Sequence, residues 1–204
     1  VHSKFEISNF QLCTFPAGAV EAADAMKTEF ALAYLKSTQK YPNQTAIEVK
    51  DLLITESVSR LITCTSEGSL IIGGEFKGSP TYDAKNNMFN VDCGSYKYQV
   101  APKRKGVITY YNSYEDLVNG VGGNTEISSS AKFWSMTVSD LHADDFFAVA
   151  VSASAEKSFE ELTEASKKAT SNTTVMSKLE KAEDFWNRYI AACDVTDYIE
   201  NMPK

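Results

Sequence analysis

The last third of the chain constrains its fold more than any other part. A strongly apolar strand, Phe146-Phe147-Ala148-Val149-Ala150-Val151, runs into a polar helix and then into a long amphipathic one. In that final helix Val175, Leu179, Ala182, Trp186, Tyr189 and Cys193 recur at alternating steps of four and three residues. Such spacing builds one apolar stripe, which must be buried against something larger than the helix itself. Most segments upstream read as strands, so the expected cover is a sheet. The stripe fixes architecture and carries no chemistry of its own.

Residues 4–13 alternate as Phe5, Ile7 and then Phe10 and Leu12, a first strand whose register break near Asn9 predicts a bulge. Over 19–37, after Pro16-Ala17-Gly18, the residues Val20, Ala23, Met26, Phe30 and Ala33 share one helical face. That pattern predicts an N-terminal helix, ended by Tyr41-Pro42-Asn43 because proline disfavours helical geometry in the residue before it. Segments 45–54, 57–65, 69–77, 88–92, 95–101 and 107–111 are rich in β-branched and aromatic residues and read as strands. Turn signals at Glu67-Gly68, Gly78-Ser79-Pro80, Asn86-Asn87, Cys93-Gly94 and Lys105-Gly106 separate them, and such short connections favour antiparallel hairpins. Residues 112–130 carry the weakest pattern, and strands resume at 132–138 and 145–153. Ser158 with Glu161 three residues later forms a capping box for the polar helix, and Thr173 or Thr174 caps the last one, which frays after Cys193. With no repeat and no linker, the expectation is a single domain, with a β-rich body over 1–153 and a helical segment over 156–200. Its class is α+β: mainly an antiparallel sheet or sandwich, with one N-terminal helix and two C-terminal helices packed on it.

At 204 residues the chain can bury one substantial core. Its formal charge of −7 and pI near 4.9 exclude nucleic acid as the main partner, since phosphate binding needs a basic face. No apolar run approaches the roughly 20 residues that a membrane-spanning helix needs. A first residue of Val rather than Met leads to the expectation that a targeting segment has been removed, or that the chain is a piece of something longer. Cys13, Cys64, Cys93 and Cys193 allow three disulfide pairings, and the sequons at Asn43 and Asn172 permit glycosylation. Together these predict a secreted, disulfide-bonded glycoprotein. The alternative is four reduced cysteines acting as small hydrophobes.

Candidate chemistry is sparse. Asp140, His142 and Asp144 gather carboxylates around one of only two histidines, a pattern that could bind a metal ion or orient a base. The same residue types populate tight turns for purely local reasons, and a hairpin loop is the plainer reading. The glycines at 120, 122 and 123 lack both a βαβ unit and a following Lys-Ser or Lys-Thr, so they form a flexible loop rather than a phosphate cradle. No G-x-S-x-G is present, and Lys103-Arg104-Lys105 reads as a solvated hairpin tip. No cofactor is implied. Tyr96, Tyr98, Tyr110, Tyr111 and Trp134 cluster in the β-rich centre and could stack on a sugar ring, an apolar disc edged with hydroxyls. The competing reading is that they fill a sandwich core.

The run 145–152, then Ser158-Phe159-Glu160-Glu161-Leu162, then Phe185-Trp186-Asn187-Arg188-Tyr189-Ile190 resembles the exit from an N-terminal β-sandwich of certain glycoside hydrolases. Ser59-Arg60-Leu61-Ile62-Thr63-Cys64, followed by Glu67-Gly68-Ser69-Leu70, resembles a paired-strand segment of such sandwiches. In those enzymes a helical linker joins the sandwich to an (α/α)6 catalytic barrel. The resemblance therefore implies a non-catalytic piece that packs on a barrel or shapes its cleft, and no acid or base can be carried over. Three functional readings follow. The first is a non-catalytic β-rich binding or accessory domain, with carbohydrate association as one form of it, which requires an exposed aromatic or apolar patch. The second is a secreted protein holding a small ligand in an apolar pocket. The third is a small hydrolase or metal enzyme centred on His142. The expected partner is thus a small molecule, a glycan or another protein.

Overall fold

The computed structural model describes residues 12–14, 25–31, 34–40, 46–65 and 67–192, and every structural statement below concerns these. In chain order the elements are β1 (Leu12–Thr14), β2 (Ala25–Ala31), β3 (Tyr34–Lys40), β4 (Ala46–Ile54), β5 (Ser57–Cys64) and β6 (Gly68–Glu75). Then come β7 (Ser79–Asp83), β8 (Met88–Asp92), β9 (Lys97–Pro102), β10 (Val107–Tyr111) and α1 (Tyr114–Asn119). Strands β11 (Phe133–Leu141) and β12 (Phe146–Ser154) precede the helices α2 (Phe159–Ala169) and α3 (Asn172–Ala192). Pairing is antiparallel in both sheets, one in the order β1-β6-β11-β10 and the other in the order β2-β3-β4-β5-β12-β9-β8-β7. The α+β class with a sandwich and two C-terminal helices is what the structure has.

The apolar strand explains the layering. Phe147, Ala148, Val149 and Ala150 of β12 are each no more than 1% exposed, although successive strand residues point to opposite faces. Both faces are therefore covered. Phe147 and Val149 join Ile47, Val49, Ile62, Phe89 and Val100 in the core between the sheets, while Ala148 and Ala150 join Leu52, Ile54 and Leu61 beneath α2 and α3. Small alanines on the helix side let Ala169, Val175 and Leu179 approach closely. On the smaller sheet, Trp134 of β11 pairs with Gly74 of β6. A Cβ on Gly74 would lie 3.1 Å from the indole Nε1, so the glycine makes room for the largest core side chain.

A buried polar network fastens α2 to the sheet. The Ser166 hydroxyl donates to Gln99 Oε1 at 3.0 Å and to Ser152 Oγ at 2.9 Å, two alternatives for one proton, and Ser152 meets Ser57 at 2.6 Å. Gln99 Nε2 lies within 2.9 Å of Asn90 Oδ1, the Phe159 carbonyl and Thr163 Oγ1. Buried polar groups are tolerated when partnered in this way. The capping box at Ser158 is present: its N–H donates to Glu161 Oε2 at 2.8 Å, and the Glu161 N–H donates to its hydroxyl at 3.3 Å.

Several expectations are corrected. The helix expected over 19–37 is replaced by β2 and β3, with 19–24 and 32–33 outside the described residues. Met26 and Phe30 stand four apart, a spacing that fits one helical face and, being even, one strand face equally well. β7 occupies a segment read as a turn on account of Pro80. Proline is admissible there because β7 is the outermost strand of its sheet. Within 112–130, Ser113 caps α1 by accepting the Asp116 N–H at 3.1 Å, and Gly120 ends the helix in the left-handed region at φ 64°. Helix α3 begins at Asn172, so Thr173 and Thr174 lie in its first turn rather than at its cap. Finally, β5–β6, β6–β7, β9–β10 and β11–β12 are not hairpins, because each connection crosses from one sheet to the other. Turn residues announce a reversal without saying which layer the returning strand joins.

Candidate functional site

Helix α3 carries the good helix formers Lys, Glu and Ala along with Met176 and Leu179, and its first half is fixed by the core. Val175 is fully buried and Leu179 nearly so, with Met176 packed against the same cluster. Midway, Glu183 hydrogen-bonds the Tyr34 hydroxyl on β3. Burial first, and this acceptor second, push the phenol up to about 12. Lys50 Nζ sits 5.3 Å from the Tyr34 ring centroid, and Glu48 pairs with Lys36 at 2.6 Å and Lys50 at 3.3 Å, so the helix rests on a charged, ordered strand face.

Beyond that point the expected stripe emerges from the protein. Trp186 is half-buried, Tyr189 is 54% exposed, and Phe185, off the stripe, is 60% exposed. The three rings form one cluster. Phe185 and Tyr189 lie nearly parallel with centroids 6.3 Å apart, and Trp186 meets them edge-on at 5.4 and 5.6 Å. A hollow of about 400 Å3 beside them is lined by Lys181, Asp184, Phe185, Arg188 and Tyr189. Asp184 grips Arg188 through two contacts, Nε at 3.1 Å and Nη2 at 2.8 Å. A second hollow of about 320 Å3, lined by Thr173, Thr174, Ser177, Lys178 and Lys181, continues along the helix. This surface offers apolar rings and fixed charges, and it presents no nucleophile or base in a catalytic arrangement.

The residues singled out from the sequence lie elsewhere. Trp134, Tyr98, Tyr110 and Tyr111 are buried and Tyr96 is half-buried. Trp134 packs 4.6 Å from Phe89, itself 6.2 Å from Tyr110, and the Lys77 N–H donates to Tyr98 Oη at 2.9 Å. Burial raises the Tyr98 phenol far above its ordinary range and pushes that of Tyr110 up to about 12. Trp134, Tyr98 and Tyr110 belong to the core between the sheets, and Tyr96 packs against it.

Among the described residues no group of three or more His, Cys, Asp or Glu side chains could hold a metal ion. The backbone gives both aspartates of the Asp140, His142 and Asp144 loop a local role. Asp140 occupies a bulge between Val138 and Leu141 at φ 55°, and Asp144 turns the chain at φ 70°, the left-handed region that aspartate tolerates. His142 is mostly exposed, with Nδ1 3.8 Å from Glu67. The loop is a crossing between sheets rather than a hairpin, held where the Asp144 N–H donates to the Cys64 carbonyl at 2.8 Å.

Cys64 and Cys93 are free thiols, which corrects their place among the disulfide candidates. Cys64 points into the sandwich core, and Cys93 is half-buried beyond the end of β8. The side chain of Cys13, and all of Cys193 and Asn43, lie outside the described residues. Asn172 is half-buried at the start of α3, with its Oδ1 enclosed and unpartnered. No helix among the described residues is long and apolar enough to cross a membrane.

Sequence reading missed the outer face of α3, although its signal was present. Thr174, Lys178, Lys181, Phe185 and Arg188 recur at steps of four, three, four and three, the same rhythm as the core stripe, turned about 100° around the helix from it.

No family model matches the chain, and no curated protein matches it. Among solved structures it is similar to a glycosyl hydrolase of the GH92 family, ccman5, at 10% sequence identity and a TM-score of 0.40. The similarity covers 70% of this chain and 24% of that one, so this chain spans about a quarter of that structure's length. It meets the resemblance to glycoside hydrolases drawn from the sequence as a weak likeness of fold, and a score of that size says nothing about activity.

Proposed function

We propose that this chain is a non-catalytic β-sandwich module that docks on another macromolecule through the outer, C-terminal part of α3. One observation carries the reading: Phe185 and Tyr189 stand 60% and 54% exposed on the C-terminal half of a helix whose first half is packed on the sheet. Large apolar side chains held together on a rigid element mark interaction surfaces more often than isolated ones do. The tyrosine-rich centre and the aspartate loop, which would have supported a sugar platform or a metal enzyme, are occupied by packing and turn formation.

Site-specific photo-crosslinking tests this. A photoreactive amino acid at position 185 is compared with one at position 121, where Val121 is 63% exposed and follows α1, a helix packed on β10 and β11. In extract of the producing organism, position 185 gives a discrete crosslinked species that is absent from position 121. Matching diffuse labelling from both positions would sink the proposal.

A further inference from the structure

Resting on that docking reading, we infer that the partner of α3 is an acidic amphipathic helix of another protein. At about 100° per residue, Thr174, Lys178, Lys181, Phe185 and Arg188 fall within a sector of about 80°, and Val175 and Leu179 lie about 100° and 140° around the helix from its centre. The sector has two parts. Its first half is hydroxyl and cationic, through Thr174, Ser177, Lys178 and Lys181. Its second half is aromatic, through Phe185 and Tyr189, with Arg188 already gripped by Asp184. Asp184 lines the second half but is paired with Arg188, and Glu183 hydrogen-bonds Tyr34, so the cationic excess of the face lies in Lys178 and Lys181.

Charge then selects the occupant. A chain of formal charge −7 presents here a face carrying Lys178 and Lys181. Two copies of this chain would set lysine against lysine and are disfavoured, whereas a carboxylate-bearing surface is attracted. Spacing selects its shape. Lys178 and Phe185 stand seven residues apart, two turns or about 10.5 Å along the axis. A helix laid alongside at the usual shallow crossing angle offers the same repeat, with carboxylates two turns from its apolar anchors. The near-parallel Phe185–Tyr189 pair forms a ridge for such anchors, and the hollow beside it receives them.

The test uses the whole chain and a synthetic helical peptide with leucines at i, i+3, i+4 and i+7 and glutamates two turns away. Its controls are a lysine twin, heparin and vesicles containing anionic lipid. The expected result is saturable binding of the acidic peptide, weakened about tenfold or more by F185A/Y189A. K178E/K181E exchanges the preference in favour of the lysine twin. Equal binding of both peptides, no effect of K178E/K181E, or no saturation by about 1 mM overturns the inference. Binding of heparin or vesicles alone through Phe185 overturns the acidic helix but leaves docking intact. If no probe binds and crosslinking from position 185 is also empty, docking itself fails.

Discussion

Replacing Leu179 and Phe185 in turn by alanine separates the packed face of α3 from its open one. Leu179 is 5% exposed among Val175, Ala148, Ala150 and Ala169. Truncation to alanine removes three carbons, roughly 2.4 kcal/mol at about 0.8 kcal/mol per buried methylene. Its cluster is clamped between the sheet and two helices, so the space closes poorly, and a cavity contribution brings the loss to about 3 kcal/mol. For a chain of this length that corresponds to a fall in Tm of roughly 6–12 °C. Phe185 is 60% exposed, so about 40% of its surface is covered, which at the usual worth of a buried phenylalanine is roughly 1 kcal/mol. Alanine recovers about half of this through its better helix propensity, leaving a net loss of under ~0.5 kcal/mol. Urea unfolding followed by far-UV circular dichroism measures both. The reasoning is refuted if Phe185→Ala costs as much as Leu179→Ala, because Phe185 would then be serving the fold rather than a partner.

Other consequences follow from the interior. Gln99→Ala strips Ser166, Asn90 and the Phe159 carbonyl of a buried partner and should cost about 2–4 kcal/mol in the same assay; a loss below ~1 kcal/mol would mean that water already serves these groups. Iodoacetamide at pH 8 should label Cys93 well before Cys64, whose thiol is pushed up by burial first and by Asp145 second; peptide mass mapping would show comparable rates if Cys64 were open to solvent. The phenols of Tyr34 and Tyr110 are pushed up to about 12 from an ordinary value of 10. A folded pKa raised above the unfolded one contributes stability that is whole below pH 10 and lost as pH rises towards 12. Absorbance at 295 nm should therefore show these tyrosines ionising only as the chain unfolds, and reversible ionisation near pH 10 without unfolding would contradict their burial.

Much of the fold was legible because its signals were local and redundant. The strand at 146–151, the capping box at Ser158 and the Val175–Leu179 rhythm each specify an element without reference to the rest. Where two templates fit one spacing, as at Met26 and Phe30, sequence could not choose, and pairing with β3 decided for strand. The layer that each strand joins was illegible for a different reason. The turns at Glu67-Gly68 and at 142–145 look like hairpins, yet each carries the chain across the sandwich. The site was harder still. Tyr98, Tyr110 and Trp134 attracted attention by their chemistry, but whether an aromatic ring meets solvent depends on which face the second sheet covers. The Gln99–Ser166–Ser152–Ser57 network has directly bonded residues up to 95 apart in sequence, and no local pattern marks it. Phe185 sits one residue off the core stripe, so the periodicity that marks the buried face does not include it.

The most direct test of the docking account maps binding residue by residue. Amide chemical shifts of the uniformly 15N-labelled chain are followed while the acidic helical peptide is added. The account predicts perturbations concentrated at 174–189 on the outer side of α3, with Leu179 and the sandwich strands nearly still. Perturbations centred instead on the groove formed by Glu75–Gly78 and Ser129–Lys132, about 490 Å3 in volume, would place the interaction surface on the sandwich and contradict it.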